Sequence, residues 1–204
     1  MAVGLSLPGH LYAVNGVRLA AGHGGVKKNG SDDLLIIALD EGAAVAGVFT
    51  QNAYCAAPVT VSIEHLANAS TRALLVNSGN ANAGTGAAGY EDAKALCAAC
   101  SEQLGVGPEQ VLPFSTGVIG ERLPVAAMQQ RIVSLGESLA SDAWLSAAHA
   151  IMTTDTLPKA VSRQLDIDGQ TITITGISKG SGMIHPNMAT LLSFVTTDAV
   201  VDSA

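Results

Sequence analysis

The chain has 204 residues, of which 48% are hydrophobic and 13% charged, and this composition is typical of a globular protein and excludes a disordered one. Its 10 basic and 17 acidic residues give a formal net charge of −7, which argues against nucleic acid or an anionic membrane as a partner. The sequence shows neither a signal peptide nor an apolar run of membrane-spanning length, so we expect one large domain in the cytoplasm.

The first part of the chain is predicted to form a sheet. Short apolar runs predict strands at residues 34–39 and 45–50, and residues 59–63 are a candidate for another. A further buried strand is predicted at residues 73–77, followed by a loop rich in glycine and asparagine that runs to Gly89. The mixture of these strands with the helices below indicates the α/β class.

Three helices are predicted in the middle of the chain. The first runs from about 90 to 104 and is stopped by Gly105, and the second runs from Pro124 to about 135. The third ends near Met152 and has Ser141 as a candidate N-cap.

The remaining strand signals follow in order. Residues 111–114 predict a short strand that runs into Ser115-Thr116-Gly117. Residues 160–167 and 170–177 flank an Asp-Gly pair, which is the strongest hairpin signal in the sequence. Residues 191–195 predict a last apolar strand.

The three cysteines do not indicate a disulfide or a metal site. Their odd number argues against a disulfide framework. Cys97 and Cys100 fall on the apolar stripe of the first predicted helix, so we interpret them as small buried hydrophobic residues. No pair of histidines has the spacing of metal ligands, and no metal site is predicted.

A Gly84-x-Gly86-x-x-Gly89 pattern lies between a predicted strand and a predicted helix, as in dinucleotide-binding proteins. The distance from the strand to Gly84 is too long for the tight turn, so a structural glycine-rich turn is the preferred interpretation. A non-catalytic nucleotide-binding or assembly module remains an alternative that titration with NAD or ATP would test.

Two segments could carry catalysis. Ser115-Thr116-Gly117 could present a hydroxyl and an amide at a strand end, although a turn role explains the same residues. If the bond between Ala189 and Thr190 were cut, Thr190 would carry both a hydroxyl nucleophile and an α-amine, whose ordinary pKa of about 7.7–8.0 suits a general base. From chemistry alone, an ordinary strand threonine remains the simpler interpretation, and His185 is interpreted as a turn residue beside a proline.

A resemblance to a known family changes this balance. Residues 179–190, Lys-Gly-Ser-Gly-Met-Ile-His-Pro-Asn-Met-Ala-Thr, together with Thr-Thr-Asp-Ala at 196–199, resemble the self-cleavage signature of the ornithine acetyltransferase (glutamate N-acetyltransferase, ArgJ) family. Three further segments resemble family motifs in the expected order, and they are residues 77–86, 113–117 and 151–156. The similarity therefore spans nearly the whole chain.

The resemblance implies an α/β/β/α sandwich of the N-terminal-nucleophile-like type, as in DmpA and ArgJ proteins. It also implies a precursor that cleaves itself between Ala189 and Thr190, so that residues 1–189 form the α chain and residues 190–204 begin a β chain that continues further. The two chains would stay assembled as a hetero-oligomer. The implied reaction moves acetyl from N-acetylornithine to glutamate through an acetyl-Thr190 intermediate in arginine biosynthesis, without a cofactor, and some members also use acetyl-CoA as donor.

The resemblance assigns roles to individual residues. The Thr116 hydroxyl and the Gly117 amide resemble the family's oxyanion hole, while Thr153, Lys179 and Thr190 resemble its substrate contacts. A self-processing aminopeptidase or amidase of the same architecture is the alternative, because the same nucleophile and oxyanion hole would serve hydrolysis.

Overall fold

The structure is a computed structural model that describes residue 4, residues 6–181 and residues 191–201. These parts of the chain form two sheets and four α-helices. The elements are β1 (Val17–Gly22), β2 (Leu34–Leu39), α1 (Ala57–Asn68), β3 (Ala73–Asn80), α2 (Gly86–Leu104), β4 (Val111–Val118), α3 (Val125–Gly136), α4 (Trp144–Ala150), β5 (Lys159–Ile167), β6 (Gln170–Lys179) and β7 (Leu192–Thr197).

The first sheet has the strand order β1-β2-β3-β4. Its strands pair antiparallel except β3 and β4, which are parallel and place Ser78 opposite Thr116. All six residues of β2 are buried, because helices cover one face of the sheet and other elements cover the opposite face. Helices α1, α2 and α3 pack on the first face, where Leu96 and Ile132 meet Ile36 and Leu75 in one apolar cluster.

The second sheet, β5-β6-β7, is antiparallel and packs against the opposite face of the first sheet. Ile177 of β6 and Phe194 of β7 point into this interface, and the Phe194 ring meets the Phe114 ring edge to face at 5.1 Å between centroids. Helix α4 lies in the same layer and contributes the fully buried Trp144. The order of layers is therefore helices, sheet, sheet, which are three consecutive layers of the predicted α/β/β/α sandwich.

The outer face of the second sheet is exposed and apolar. Its exposed large apolar side chains are Val161, Leu165, Ile167, Ile174 and Val195, the last of which is 71% exposed. They alternate with the inward-facing residues of the same strands, as the two-residue period of a strand requires. None of the four described helices covers these side chains.

Most predicted elements are confirmed, and the exceptions have physical reasons. Residues 59–63 belong to helix α1, because Pro58 at the helix start and a buried face through Val61 and His65 follow helical spacing. The predicted strand at 45–50 is wrong, since these residues join neither sheet in the described parts of the chain. Strand β1 was missed because its alanines and glycine give a weak strand signal.

The predicted helix boundaries shift by at most four residues. Helix α2 begins at Gly86, before the predicted start at Tyr90, because glycines in its first turn hide the helical signal. Its end at Gly105 is confirmed, with a left-handed φ of 68°. Helix α4 begins after Ala143, so the N-cap prediction for Ser141 is wrong. Among the described residues, no helix has the length and apolarity to cross a bilayer.

Cys97 and Cys100 are buried in helix α2, as predicted, whereas Cys55 is exposed. Burial raises the pKa of both thiols, that of Cys100 to about 12, so neither forms a reactive thiolate near neutral pH. We expect iodoacetamide to label Cys55 in the native protein and to label Cys97 and Cys100 only after denaturation. Peptide mass spectrometry measures this difference, and equal native labelling of all three thiols would show that helix α2 is not packed as described.

Candidate active site

The parallel pair β3 and β4 creates the site, because the carboxyl ends of parallel strands meet at one edge of a sheet. At this edge the ammonium of Lys179, at the end of β6, donates a hydrogen bond of 3.1 Å to the Thr116 hydroxyl of β4. Both residues are buried, with Lys179 2% exposed and Thr116 6% exposed. The second sheet therefore places the Lys179 ammonium at the end of β4 in the first sheet.

The Lys179 ammonium is out of water and close to a carboxylate. Burial lowers its pKa below the ordinary value for lysine, while the charge of Asp155 opposes this change and the charge of Lys159 adds to it. Since a hydroxyl accepts through its lone pairs and donates through its proton, the bond from Lys179 occupies a lone pair and leaves the Thr116 proton available to another acceptor. The pair can thus donate a hydrogen bond toward a developing negative charge.

Gly117 follows Thr116 and has a φ of 137°, a conformation that favours glycine. A Cβ at this position would lie 2.5 Å from the amide nitrogen of Asn80 and closer still to the carbonyl carbon of Gly79. The end of β4 therefore packs directly on the backbone of β3, and the register between the two strands shifts at Gly79 and Asn80. Only glycine allows this approach.

We expect Gly117→Ala to destabilise the protein by about 3 kcal/mol or more, because the added methyl must displace backbone atoms. Gly120→Ala is the matched control, since Gly120 also has a positive φ, 84°, but a Cβ there would meet no atom within 4 Å. That control should show only the cost of the backbone conformation, about 1–2 kcal/mol. Urea unfolding of the two variants measures the difference, and equal losses would mean that the close packing at Gly117 is absent.

Asparagine side chains fix the two strand ends. The Ser115 hydroxyl donates to Asn77 Oδ1 at 2.6 Å, and Asn77 Nδ2 donates to the Asn80 carbonyl at 2.8 Å. Buried polar groups with both partners satisfied give a rigid local structure. The Asn77 side chain thus fixes the ends of β3 and β4 next to Thr116.

Side chains of the glycine-rich loop form hydrogen bonds within the turn from Gly84 to Gly89. Asn82 Nδ2 donates to the Gly89 carbonyl at 2.7 Å, and the Thr85 hydroxyl donates to Asn82 Oδ1 at 2.8 Å. A Cβ on Gly89 would overlap these side chains, which explains the glycine. These contacts favour the structural interpretation of the glycine pattern over a nucleotide cradle.

The loop after helix α4 contains Thr153 and Asp155 and lies against the end of β6. The Asp155 carboxylate accepts hydrogen bonds from the Gly180 amide at 2.9 Å and from the Thr153 amide at 3.3 Å, and it pairs with the Lys159 ammonium. Burial alone would raise the pKa of Asp155, but the bonds from Lys159, Gly180 and Thr153 outweigh burial and hold it below its ordinary value. Asp155 is therefore a buried carboxylate ion that links Thr153 to the neighbour of Lys179.

The structure brings together four of the residues predicted from sequence. Thr116, Gly117 and Lys179 meet at the strand ends, and Thr153 is tied to the same region through Asp155. Their roles in the oxyanion hole and in substrate binding remain predictions. Predictions for Ala189, Thr190 and His185 fall on residues outside the described parts of the chain.

Sequence reasoning missed Asp155 and Ser78. Asp155 lies within the family-like motif at 151–156, where only Thr153 received a role, so the signal was present in the sequence. Ser78 donates a hydrogen bond of 2.5 Å to the Ala150 carbonyl, and only the fold places these residues together.

The candidate site is not a metal cluster of the described residues, and it lies apart from the cavity that the structure contains. The residues that the structure describes contain no group of three or more histidine, cysteine, aspartate or glutamate side chains that could hold a metal ion. A cavity of about 550 Å³ lies elsewhere, between residues 39–49 and residues 193–201, and neither Thr116 nor Lys179 lines it.

The layered fold, which solved structures of this class share, defines a protein of the N-terminal-nucleophile-like sandwich class. The sequence profile of the ArgJ family matches residues 18–204. The chain belongs to the ArgJ family.

Individual relatives agree with this assignment. The arginine biosynthesis bifunctional protein ArgJ of Methylococcus capsulatus is 53% identical over 189 residues, which are 93% of this chain and 46% of that protein. The chain therefore spans about half the length of the curated relative that it matches.

Two solved structures share the fold. The arginine biosynthesis bifunctional protein ArgJ of Bacillus halodurans superposes with a TM-score of 0.79 at 37% identity, over 88% of this chain and 94% of that one. The ornithine acetyltransferase of Mycobacterium tuberculosis, in complex with ornithine, gives a TM-score of 0.79 at 36% identity with the same coverage.

Proposed function

We propose that this chain is the first part of a self-cleaving acetyltransferase precursor that moves acetyl from N-acetylornithine to glutamate in arginine biosynthesis. The observation that carries the proposal is the buried bond from Lys179 to the Thr116 hydroxyl beside Gly117, in a chain of the ArgJ family. The relatives named as a bifunctional arginine biosynthesis protein and as an ornithine acetyltransferase with bound ornithine support the substrates.

In the proposed self-cleavage, the Thr190 hydroxyl oxygen attacks the carbonyl carbon of Ala189. The bond from this carbon to the Thr190 nitrogen breaks, the nitrogen takes the proton of the hydroxyl, and an ester forms. Water then hydrolyses the ester, which leaves Ala189 with a carboxylate and Thr190 with a free α-amine. Residues 1–189 become the α chain, and Thr190 becomes the first residue of the β chain.

In the proposed transfer, the α-amine of Thr190 accepts the hydroxyl proton while the oxygen attacks the acetyl carbonyl of N-acetylornithine. The Thr116 hydroxyl and the Gly117 amide donate to the resulting oxyanion. Ornithine leaves with the proton, and acetyl-Thr190 remains. The amine of glutamate then attacks the carbonyl carbon of this ester, and the bond from that carbon to the Thr190 oxygen breaks. The Thr190 oxygen takes the proton that the glutamate amine loses, so N-acetylglutamate leaves and the Thr190 hydroxyl is restored. Preorganised donors suit this task, because each one typically supplies about 2.7–4 kcal/mol of transition-state stabilisation.

Lys179 and Thr153 are proposed to contact the substrate. An ammonium has three donor hydrogens, and among the described residues Lys179 Nζ donates only to the Thr116 hydroxyl. In the proposal its two other donor hydrogens serve a carboxylate or carbonyl oxygen of the substrate. The position of Thr153, held by Asp155 beside the end of β6, supports the second contact. One cation would thus orient the oxyanion-hole hydroxyl and hold the substrate.

The second chain of the same precursor is the proposed partner in a hetero-oligomer. The apolar outer face of the second sheet supports this partner, because exposed rows of aliphatic side chains on a sheet favour a covering layer. Use of acetyl-CoA as an alternative donor and a location in the cytoplasm stay predictions from the sequence.

Acceptor dependence tests the proposal and separates it from hydrolysis. Purified full-length protein is incubated with N-acetylornithine, and ornithine, acetate and N-acetylglutamate are measured by mass spectrometry. We expect about one ornithine per site without glutamate, followed by continuous turnover when glutamate is added. Steady release of acetate without glutamate would establish the aminopeptidase or amidase alternative, and the absence of any ornithine would refute acetyl transfer.

A further inference from the structure

We propose that Asp155 is a positioning residue that holds the two predicted substrate contacts, Thr153 and Lys179, in a fixed relation to each other. This inference rests on the function proposed above. Thr153 belongs to the loop after helix α4, whereas Lys179 ends strand β6, so nothing in the local sequence keeps them together. The Asp155 carboxylate lies between them and bonds to both segments.

Each carboxylate oxygen of Asp155 accepts a hydrogen bond from a different segment. Oδ2 accepts from the Thr153 amide at 3.3 Å, and Oδ1 accepts from the Gly180 amide at 2.9 Å. Gly180 directly follows Lys179, so the second bond fixes the backbone from which the Lys179 side chain extends. Hydrogen bonds to an ionised carboxylate are about twice as strong as those between neutral groups, which makes this link stiff.

The surroundings of Asp155 keep it ionised and in place. Its side chain is 1% exposed, and the Lys159 ammonium, four residues later on β5, supplies the compensating charge. Burying a carboxylate without such partners costs free energy. The position of the Asp155 carboxylate therefore depends on the Lys159 charge and on the Thr153 and Gly180 amides together. Ionisation matters because a protonated carboxyl would lose acceptor strength toward both amides.

Two further bonds continue the link on either side. The Ser181 hydroxyl donates to the Thr154 carbonyl at 3.0 Å, so residues 154–155 and 180–181 are joined at two points. Ser78 of β3 donates to the carbonyl of Ala150, where helix α4 ends and the loop begins. The loop is therefore fixed both to the strand beside Thr116 and to the segment that carries Lys179.

Loss of this link would loosen the site without removing any group that touches the substrate. A displacement of about 1 Å in a catalytic site can cost roughly 100-fold in rate. We expect Asp155→Ala in the full-length protein to lower kcat/KM for N-acetylornithine by about that factor. We also expect faster amide exchange at Thr153 and Gly180, which is a readout independent of activity.

The conservative variant distinguishes positioning from charge balance. Asp155→Asn retains one oxygen that can accept from the Gly180 amide, so it should recover part of the activity lost in Asp155→Ala. If Asp155 served only to neutralise Lys159, then Asp155→Asn would be as poor as Asp155→Ala, which would overturn the inference. Asp166→Ala is the matched control, because Asp166 also accepts from a backbone amide, that of Gly169 at 3.1 Å, but at the other end of β5.

The experiment separates this inference from the proposed function. If the wild-type protein shows no acetyl transfer, the proposed function fails, and amide exchange alone decides the inference. If Asp155→Ala transfers acetyl within twofold of the wild type and keeps both amides protected, the inference fails while the function stands. Should Asp155→Ala not fold, Asp155→Asn carries the test, because its amide keeps one acceptor oxygen and loses the other. We expect a several-fold loss of kcat/KM and faster exchange of one of the two amides; unchanged kcat/KM with both amides protected would overturn the inference.

Discussion

A full-length precursor carrying Thr190→Ala is expected to remain a single polypeptide and to lose acetyl transfer by roughly 10⁶-fold, the scale seen when a catalytic nucleophile is removed. The methyl group cannot attack the Ala189 carbonyl, so no ester forms and no α-amine is released. Both the nucleophile and its proposed base therefore disappear with one hydroxyl. Intact-mass measurement reports cleavage, and ornithine release reports transfer.

Thr190→Ser is the matched control for this prediction. Serine keeps the hydroxyl and still yields an α-amine after cleavage, so we expect it to mature and to retain measurable transfer. An alanine variant that is cut at the same bond as the wild type would contradict the proposed role of Thr190, because another group would then be the nucleophile.

Thr116→Val is expected to lower kcat by about 10²- to 10³-fold, the usual effect of removing one oxyanion donor. Valine has nearly the same shape as threonine, so the buried position stays filled while the donor is lost. The variant also leaves the Lys179 ammonium without its hydroxyl acceptor. Steady-state kinetics of the full-length enzyme with N-acetylornithine and glutamate measure the change.

Thr71→Val supplies a control at another buried threonine. Among the described residues, the Thr71 hydroxyl is buried without a hydrogen-bond partner. Removing an unsatisfied polar group is neutral or stabilising, so the control should keep full activity. A Thr116→Val enzyme with kcat within threefold of the wild type would exclude this hydroxyl from the oxyanion hole.

The chain's local patterns predicted much of the fold. The Asp-Gly turn predicted the β5–β6 hairpin, and Gly105 predicted the end of helix α2. Both features depend on residues close in sequence, where turn and cap chemistry is decisive. The errors at residues 45–50 and 59–63 arose because a short apolar run fits a strand or a helix equally well, and long-range packing decides between them.

The site was less predictable than the fold. Composition and spacing left Thr116 and Gly117 as an ordinary turn, and only the family resemblance gave them a role. The bond from Lys179 to Thr116 joins residues 63 positions apart, and the Asp155 bond to Gly180 spans 25 positions. No local signal encodes such contacts, because the stacking of two sheets creates the first one and the packing of the loop after helix α4 against the end of β6 creates the second. The proposed role of Thr190 depends in turn on a cleavage reaction, which only the resemblance of residues 179–190 to the family signature predicted.

The most direct test of the proposed function uses the purified full-length wild-type protein. N-terminal sequencing of each polypeptide, with mass spectrometry before and after addition of N-acetylornithine, locates both the cut and the acetyl group. We predict one chain that begins at Thr190 and gains a single acetyl group on that residue. An uncut protein, or an acetyl group on any other residue, would contradict it.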